Sequence, residues 1–266
     1  MSSLPAWLSL AGRTALVTGA GSPTGIGMAT ARALGELGAR VEVTSTTARI
    51  HERVAELGAD GIDAVGHVID LTVEVAVAGM LTDIVARRGA VDIVVNNAGM
   101  VSTDSVAEQG DIGDMALTTW RAGLERNLDT AFLVTRGAVG VMRARTWGRI
   151  VNVSSVTGPV MAMREEPAYA AAKAAMVGLT RALAVDLADA GITVNAVAPG
   201  WIETGSQLAD EARQALATPI GRSARPQEVA AAIAWLCSPG AAYVTGQCLV
   251  IDGGNSVAEE RGPVSR

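Results

Sequence analysis

A tyrosine and a lysine spaced four residues apart are the side chains of this sequence best suited to exchange a proton. The segment Tyr169-Ala-Ala-Ala-Lys173 is rich in alanine, a strong helix former, so both side chains should lie on one helix face. An ammonium beside a phenol favours the phenolate and lowers the pKa of the tyrosine from its ordinary value of about 10. The hydroxyl of Ser155 could then hydrogen-bond an oxygen on which negative charge develops. The alternative is an exposed tyrosine and lysine on an ordinary helix, and the rest of the chain decides between the two.

The composition indicates a well-packed protein that does not bind nucleic acids or anionic membranes. Of 266 residues, 49% are hydrophobic and 30 are glycine, enough for a large core in one large domain or two small ones. The net charge of −6 disfavours nucleic acid and anionic membranes as partners. No apolar run approaches the length of about 20 residues that a membrane-spanning helix needs, so we expect no membrane span.

Cysteine and histidine usage indicates neither disulfides nor a metal site. Cys237 and Cys248 both lie in apolar contexts, which predicts buried thiols. His51 and His67 lack the spacing of metal ligands, so we expect no bound metal. The start of the chain has no basic residue and carries a proline within a short apolar run. Since this is not the pattern of a signal peptide, we predict a cytoplasmic protein.

A glycine-rich turn follows the first apolar run, residues 14–18, and precedes a helical pattern over residues 28–37. The turn contains Gly19, Gly21, Gly25, Ile26 and Gly27. Strand, glycine turn and helix together form the setting in which a dinucleotide binds, because glycines let the backbone approach a pyrophosphate and the helix N-terminus supplies N–H donors. On its own the run of glycines is weak support, since turns are generally rich in glycine.

The end of the second predicted strand, residues 41–45, bears on the choice of cofactor. In NAD-binding folds this position usually carries an acid that holds the ribose 2′-hydroxyl, about 20 residues past the glycines. Here the strand ends at Ser45, followed by Thr46, and Arg49 opens the next helix. Hydroxyls, helix N–H groups and an arginine suit a 2′-phosphate, which favours NADP(H) over NAD(H). The alternative is a solvated arginine beside threonines that only cap the helix.

Further apolar runs alternate with helical patterns along the remaining chain. They cover residues 64–69, 91–95, 149–153, 191–197 and 247–251. Candidate site residues follow three of these runs. They are Asp70 and Leu71 after residues 64–69; Asn97, Ala98 and Gly99 after residues 91–95; and Pro199 and Gly200 after residues 191–197. Alternation of strands and helices predicts one α/β domain with a parallel sheet covered by helices on both faces, and its ligands bind at the carboxyl ends of the strands.

Two long helices are predicted in the second half of the chain. An apolar stripe with helical period runs over residues 117–142 and contains Asn127, which either has a buried role or is exposed beside the stripe. The helix that begins near Tyr169 extends to about Ala190 and is apolar nearly all round. Such a helix is buried within the fold or against another subunit. Residues 100–113 are predicted to form a loop.

In this order and context, the motifs resemble those of the classical short-chain dehydrogenase/reductase family over roughly residues 10–255. The matching positions are Thr18-Gly19, Gly25-Ile-Gly27, Asp70, Asn96-Asn97-Ala98-Gly99, Asn127, Ser155, Tyr169, Lys173, Asn195, Pro199-Gly200 and Asp252-Gly-Gly. The resemblance implies one Rossmann domain over residues 1–266 with a seven-stranded parallel sheet, and a nicotinamide dinucleotide as cofactor. Within that domain, residues 1–11 would form an N-terminal arm, 200–223 a substrate lid and 255–266 a C-terminal tail.

The resemblance also implies a role for each matching residue. Tyr169 would be the catalytic acid/base, Lys173 would bind the nicotinamide ribose, Ser155 would position the carbonyl and Asn127 would hold a water in the proton relay. The cofactor-binding positions would be Gly19, Gly21, Gly25, Ile26, Gly27, Ser45, Thr46, Arg49, Asp70, Leu71, Asn97, Ala98, Gly99, Tyr169, Lys173, Pro199, Gly200, Ile202 and Thr204. The substrate would meet Ser155, Val160, Met161 and Trp201. Members of this family commonly pair their long helices across two-fold axes, which implies a homotetramer.

The glycine turn departs from the family pattern, because it is two residues longer, around Ser22-Pro23-Thr24. The extra residues must bulge. They also leave this loop without the basic residue that NADP-preferring members often place there, so the NADP(H) prediction depends mainly on the missing acid at Ser45.

Three functions remain open on the sequence. The first is reduction of a small hydrophobic ketone, or oxidation of the matching secondary alcohol. Arg164 is the one cation near the predicted mouth of the site and has Glu165 and Glu166 beside it, so the substrate should be neutral or cationic.

The second is 3-oxoacyl-[acyl carrier protein] reduction. Residues 183–190, late in the catalytic helix, are apolar or acidic where an acidic carrier protein would dock. A basic cluster of Arg143, Arg145 and Arg149 could serve that purpose or be a solvated helix end. The third is a catalytically idle protein that senses nucleotides.

Overall fold

The computed structural model describes residues 4–99 and 109–259, and within them seven strands form one parallel sheet in the order β3-β2-β1-β4-β5-β6-β7. The strands are β1 (Thr14–Val17), β2 (Arg40–Ser45), β3 (Ala64–Val68), β4 (Ile93–Asn96), β5 (Gly148–Val153), β6 (Ile192–Pro199) and β7 (Cys248–Ile251). All six neighbouring pairs are parallel, as the alternation of strands and helices predicts. The prediction of a single Rossmann domain is confirmed.

The helices connect the strands and cover both faces of the sheet. They are α1 (Ile26–Glu36), α2 (Ile50–Ala59), α3 (Glu74–Arg88), α4 (Leu117–Leu124), α5 (Thr130–Ala144), α6 (Pro167–Asp186), α7 (Ala209–Ala215) and α8 (Pro226–Cys237). Strands β1 and β4 lie side by side, with β2 next to β1 and β5 next to β4. The chain therefore winds in one direction from β1 and in the opposite direction from β4. At such a switch point the loops after the two strands diverge and leave a crevice for a ligand.

Two hydrophobic cores lie on opposite faces of the sheet, and single strands supply both. In β1, Ala15 and Val17 belong to the core under α1, α2 and α8, while Leu16 belongs to the core under α3, α5 and α6. In β5, Val151 belongs to the first of these cores and Ile150 to the second. Strand side chains alternate between faces, so strands buried on both sides need the continuous apolar runs that the sequence contains.

Three predicted boundaries shift in the structure. The helix that carries Tyr169 ends at Asp186, not near Ala190, and a short 3-10 turn leads to Gly191 with a left-handed φ of 69°. The apolar stripe over residues 117–142 is one helical run, but it changes to a π turn at Glu125–Asp129 between α4 and α5. Of the predicted loop at 100–113, residues 100–108 lie outside the described part, as do residues 1–3 of the arm and 260–266 of the tail.

The predicted basic cluster is only partly exposed in the structure. Arg149 is buried, with its guanidinium 4.5 Å from the ring centre of Trp147, and Arg13 lies 3.8 Å from the same ring centre. Arg145 donates to the buried carboxylate of Asp92. Arg149 is therefore removed from the cluster, while Arg143 and Arg145 remain exposed, and Arg145 shares its charge with Asp92, which leaves a smaller basic surface than the sequence indicated.

Both cysteines are free; Cys237 is buried, as predicted, whereas Cys248 is only partly buried. Burial raises the pKa of the Cys237 thiol to about 12, so this thiol stays protonated and unreactive. Within the described ranges, no helix has both the length and the apolar composition needed to cross a membrane. The same part of the chain contains no group of three or more histidine, cysteine or acidic side chains arranged to hold a metal ion.

Candidate active site

A cavity of about 580 Å³ opens at the carboxyl ends of the central strands. Its walls come from the ends of β4, β5 and β6, from the start of α6 and from the segment 200–217 that includes α7. The described residues at its base include Ser155, Tyr169 and Lys173. The fold therefore brings three of the four predicted catalytic residues into one cavity.

Main-chain contacts between β5 and α6 fix the relative positions of these three side chains. The Ser154 hydroxyl donates to the Lys173 carbonyl at 2.8 Å, and Lys173 Nζ donates to the Val153 carbonyl at 3.0 Å. Ser155 and Tyr169 line the same cavity, and Ser155 Oγ accepts the Thr157 N–H at 3.1 Å. The Lys173 ammonium lies 5.6 Å from the centre of the Tyr169 ring.

A glycine permits this close approach of loop and helix. Gly158 has a left-handed φ of 110°, and a Cβ at this position would overlap the Ala170 carbonyl oxygen of α6. Any other residue would push the β5–α6 loop away from the helix. The separation of Ser155 from Tyr169 therefore depends on Gly158.

The direction of the Tyr169 pKa differs from the sequence-based expectation. Burial raises the pKa of Tyr169 to about 12, and the charges of Glu166 and Glu211 add to the rise, while the hydrogen bond from Ser155 opposes it. Burial also lowers the pKa of Lys173 to about 8, because the ammonium lies in an apolar environment. The expected lowering of the Tyr169 pKa is therefore not found: burial is the largest contribution, and Lys173 is not among the groups that shift this pKa.

Asn127 lies in the π turn between α4 and α5 and is completely buried. Its Nδ2 donates to the Gly123 carbonyl at 3.1 Å, while its Oδ1 has no hydrogen-bond partner among the described residues. A Cβ at Gly99 would lie 2.9 Å from that oxygen, so the glycine after β4 lets the loop pass directly over Asn127. Single π turns inside α-helices are frequent at functional sites. A buried, unpartnered acceptor is the position at which a water would bind.

The glycine turn after β1 forms a cradle against the end of β4. Asn97 Nδ2 donates to the carbonyls of Thr18 and Gly19, and a Cβ at Gly27 would lie 2.6 Å from both Asn97 Nδ2 and the Gly19 oxygen. No side chain caps the first turn of α1, whose N-cap is Gly25. Free helix N–H groups beside a surface without side chains fit the pyrophosphate of a dinucleotide.

The predicted 2′-phosphate site also assembles. Arg49 Nε donates to Ser45 Oγ at 3.4 Å, and the N–H of Thr47 donates to the same oxygen at 3.3 Å. A Cβ at Gly21 would lie 2.5 Å from Ser45 Oγ and 2.6 Å from Arg49 Nε, so the turn and the end of β2 are in direct contact. Thr46 is exposed beside them, and no acid occupies the end of β2.

The remaining predicted positions divide into those that meet the cavity and those that do not. Pro199, Gly200, Trp201, Ile202 and Thr204 line it, as does Met161. Asp70 and Leu71 lie at the end of β3, where Asp70 Oδ1 accepts the N–H and hydroxyl of Thr72. Val160 is 44% exposed and is not among the residues that line the cavity, whereas Met163 of the same loop lines it.

The longer glycine turn contacts the substrate lid. A Cβ at Gly205 would lie 2.8 Å from Thr24 Oγ1 and 3.8 Å from Ser22 Oγ. The extra residues of the turn therefore reach across the cleft to the lid segment. The sequence showed that the turn must bulge, but not which part of the fold it would touch.

Eight polar residues on the cavity wall were not predicted as site residues. They are Gln109, Ser154, Thr157, Glu166, Ser206, Glu211, Gln214 and Asn255. Gln109 Nε2 donates to Glu166 Oε1 at 2.9 Å, and Glu211 Oε2 accepts the Leu208 N–H at 2.8 Å. Glu166 lies three residues before Tyr169, so helical spacing places both on one face and could have identified it. Nothing in the sequence shows that α7 folds over the same cavity.

The chain matches the protein-family model described as Enoyl-(Acyl carrier protein) reductase over residues 19–256. It is 40% identical over 252 residues to the 3-oxoacyl-[acyl-carrier-protein] reductase of Pseudomonas aeruginosa, covering 93% of this chain and 98% of that protein. It is also 40% identical over 250 residues to the cis-4-hydroxycyclohexanecarboxylate dehydrogenase of Sinomonas cyclohexanicum, covering 92% of this chain and 97% of that protein.

Solved structures of similar proteins have the same fold. A protein from Beutenbergia cavernae, proposed to be an NAD(P)-dependent gluconate 5-dehydrogenase and crystallised with NADP at low occupancy, is 38% identical. The two structures superpose with a TM-score of 0.86 over 95% of this chain and 100% of that one. A protein from Agrobacterium tumefaciens, proposed to be a gluconate dehydrogenase, is 31% identical with a TM-score of 0.88, covering 96% of this chain and 100% of that one.

The lowered pKa of Lys173 can be measured directly, since this residue is the only lysine among the 266. We expect its ¹³Cε resonance, in cofactor-free protein labelled with [¹³C]lysine, to titrate with a midpoint of about 8. The urea-unfolded protein should titrate near the ordinary value of about 10.5. Between these two pH values the unfolded state binds more protons than the folded state. The free energy of unfolding should therefore increase by up to about 3 kcal/mol as the pH rises from 8 to 10.5, and this gain should be lost as the pH falls back through 8. Lys173→Met should lack both the signal and this rise; a folded-state midpoint above 10 would contradict the assignment.

Proposed function

The chain belongs to the short-chain dehydrogenase/reductase family of oxidoreductases, and from this we propose that it transfers a hydride between a nicotinamide cofactor and a ketone or secondary alcohol. The observation that carries the proposal is that Ser155, Tyr169 and Lys173 line one cavity, with Lys173 held by the Val153 carbonyl. The adjoining glycine cradle and the free N-terminus of α1 fit the cofactor. An idle nucleotide-sensing protein would not need to retain this arrangement.

The residues of this chain have distinct roles in the proposed reduction. When bound, the nicotinamide supplies the hydride to the carbonyl carbon, and this is its contribution. The hydroxyls of Ser155 and Tyr169 both donate hydrogen bonds to the carbonyl oxygen, on which negative charge develops. Tyr169 then gives that oxygen its proton, so the ketone gains one hydride and one proton and becomes an alcohol.

With a pKa of about 12, the Tyr169 phenol is fully protonated at neutral pH, so its proton is present for transfer to the carbonyl oxygen. We propose that the reverse reaction, which needs phenolate, is favoured by alkaline pH and by the positive charges of Lys173 and the oxidised cofactor. Lys173 would hold the nicotinamide ribose, while Asn127 Oδ1 would hold a water that carries protons to the site. The unpartnered state of that oxygen supports the assignment.

The shape of the cavity favours a small hydrophobic substrate. Val156, Met161, Met163, Trp201, Ile202 and Leu208 contribute its apolar wall. Flexible methionines adapt to a bulky group beside the carbonyl. We therefore propose free alkyl or aryl ketones and the matching secondary alcohols as substrates.

Reduction of 3-oxoacyl groups on an acyl carrier protein is the second candidate, and the carrier-protein reductases among the relatives favour it. The surface of this chain does not, because Arg149 is buried, Arg145 is paired with Asp92 and the end of α6 is apolar or acidic. If kcat/KM for a carrier-bound substrate exceeded that for the best free ketone by about a hundredfold, the second candidate would replace the first.

Tyr169→Phe should remove most of the turnover and leave the fold intact, since it deletes only the hydroxyl that donates the proton. General acid catalysis typically contributes about 10²–10⁴-fold, so we expect kcat for ketone reduction to fall by that factor. Tyr243→Phe is the matched control, because Tyr243 is fully exposed and far from the catalytic segment in the fold. A Tyr169→Phe variant that kept more than about a tenth of wild-type kcat would show that another group donates the proton.

We further propose NADP(H) as the preferred cofactor, with its 2′-phosphate near Ser45, Thr46 and Arg49. The contact between Arg49 Nε and Ser45 Oγ places a positive charge at this position, and no acid opposes it. Ser45→Asp should shift the preference toward NAD(H), because a carboxylate repels the phosphate and would pair with Arg49. The measurement is the ratio of kcat/KM with NADPH to that with NADH in both proteins. Equal or better use of NADH by the wild type would overturn the preference.

We also propose that the chain forms a homotetramer, because two separate apolar surfaces remain exposed. One includes Leu117 and Phe132 on α4 and α5, and the other includes Trp235, Leu249 and Val250 on α8 and the edge strand β7. Two such surfaces, each meeting its own copy across a two-fold axis, close into a tetramer. Light scattering at micromolar concentration should give about four times the chain mass of 27.1 kDa. A monomeric mass would refute the proposal.

A further inference from the structure

The charge of the cavity wall is unusual for a site that would take an acyl or carboxylate substrate. Among the described residues that line the cavity, Glu166 and Glu211 are the acids, and Lys173 is the one base. Lys173 is held at the base of the cavity by its hydrogen bond to the Val153 carbonyl. The outer part of the cavity therefore has a net negative charge.

Both carboxylates are held in place by contacts within the fold. Gln109 donates to Glu166 Oε1, and the adjacent N–H of Gly110 donates to the Glu165 carbonyl at 2.8 Å, which fixes the entry of the chain into α6. Glu211 is held in the first turn of α7 by the N–H of Leu208. Each carboxylate has a second oxygen that these contacts do not use.

Glu166 lies close to the reacting groups. It immediately precedes α6 and lines the same cavity as Ser155, Tyr169 and Glu211. Both Glu166 and Glu211 raise the pKa of Tyr169, as carboxylates near a phenol do. A group held by these acids would thus share the cavity with the carbonyl bound at Ser155 and Tyr169.

The two acids also oppose each other. Burial raises the pKa of Glu166, and the charge of Glu211 raises it further, while the hydrogen bond from Gln109 acts in the opposite direction. Arg164, the cation that sequence reasoning placed beside Glu166, is exposed and does not line the cavity. A cation between the two carboxylates would stabilise both, whereas an anion would meet two like charges.

We propose that Glu166 and Glu211 are specificity-determining residues that select substrates with a protonated amine near the carbonyl or carbinol carbon and reject carboxylates. This rests on the proposed hydride transfer and narrows its substrate class to amino ketones and amino alcohols. It also separates this chain from relatives whose names specify carboxylate substrates, such as the cis-4-hydroxycyclohexanecarboxylate dehydrogenase.

The test uses three acetophenones that differ only in the para substituent: aminomethyl, ethyl or carboxylate. Their kcat/KM values are compared for the wild type, Glu166→Gln and Glu211→Gln, since glutamine keeps the size of the side chain and the acceptor for Leu208. Glu165→Gln is the matched control, because it removes the same charge from an exposed neighbour outside the cavity.

In the wild type we expect kcat/KM for the amine to exceed that for the ethyl compound by about tenfold, and the carboxylate to be about tenfold worse than the ethyl compound. Each cavity variant should reduce the ratio of amine to ethyl compound severalfold and improve the carboxylate, while Glu165→Gln keeps the wild-type ratios. A carboxylate turned over as well as the amine, or variants that depress all three substrates equally, would overturn the proposal. So would an ethyl compound that matched the amine in the wild type.

Failure of the proposed hydride transfer is distinguished by a binding readout. If no ketone is turned over with either cofactor, the proposed function is contradicted, and the charge selection is then judged by thermal stabilisation. The amine should raise the melting temperature of the wild type more than the ethyl compound does, and this difference should be lost in the Glu166→Gln Glu211→Gln double variant. Equal stabilisation by the amine and the carboxylate would overturn the selection as well.

Discussion

The burial of one ammonium group is the constraint on which the architecture of the site depends. Lys173 is 2% exposed and its environment lowers its pKa to about 8, so keeping it charged at neutral pH costs folding free energy. The fold holds it with the Val153 carbonyl, and the Ser154 hydroxyl in turn holds the Lys173 carbonyl. These reciprocal contacts tie the end of β5 to the middle of α6. These contacts also position Tyr169 and Ser155, because Tyr169 lies one helical turn before Lys173 and Ser155 directly follows Ser154.

An ammonium has three donors, and Val153 uses one of them. The others lie at the cavity that Lys173 lines. A buried ammonium with unused donors lowers the stability of the fold until further acceptors bind it. This explains why Lys173 lies where the proposed cofactor cleft and substrate cavity meet. That no other lysine occurs in the chain, against many arginines, is consistent with a role that needs a compact ammonium and not a planar guanidinium.

Much of the fold and of the catalytic group could be predicted from the sequence. Continuous apolar runs such as residues 14–18 and 149–153 indicated buried parallel strands, and the helical spacing of Tyr169 and Lys173 placed them on one face. Such features depend on local periodicity, which the chain contains explicitly.

Features that depend on long-range packing could not be predicted. The direction of the Tyr169 pKa depends on how deeply the phenol is buried, and spacing along a helix does not contain that information. Arg149 appeared to be part of a basic surface, but its position on β5 buries it against Trp147. The π turn at Asn127 and the closure of Glu211 over the cavity arise from tertiary contacts as well.

The contact between the lengthened glycine turn and the lid has an evolutionary consequence. Thr24 belongs to the turn that we propose holds the cofactor phosphates, while Gly205 belongs to the segment over the cavity, and a methyl group at Gly205 would lie 2.8 Å from Thr24 Oγ1. A substitution that enlarges residue 205 therefore requires the Thr24 side chain to move. Because the two positions are in contact, mutations at one should change the effect of mutations at the other, so the two segments are expected to evolve together.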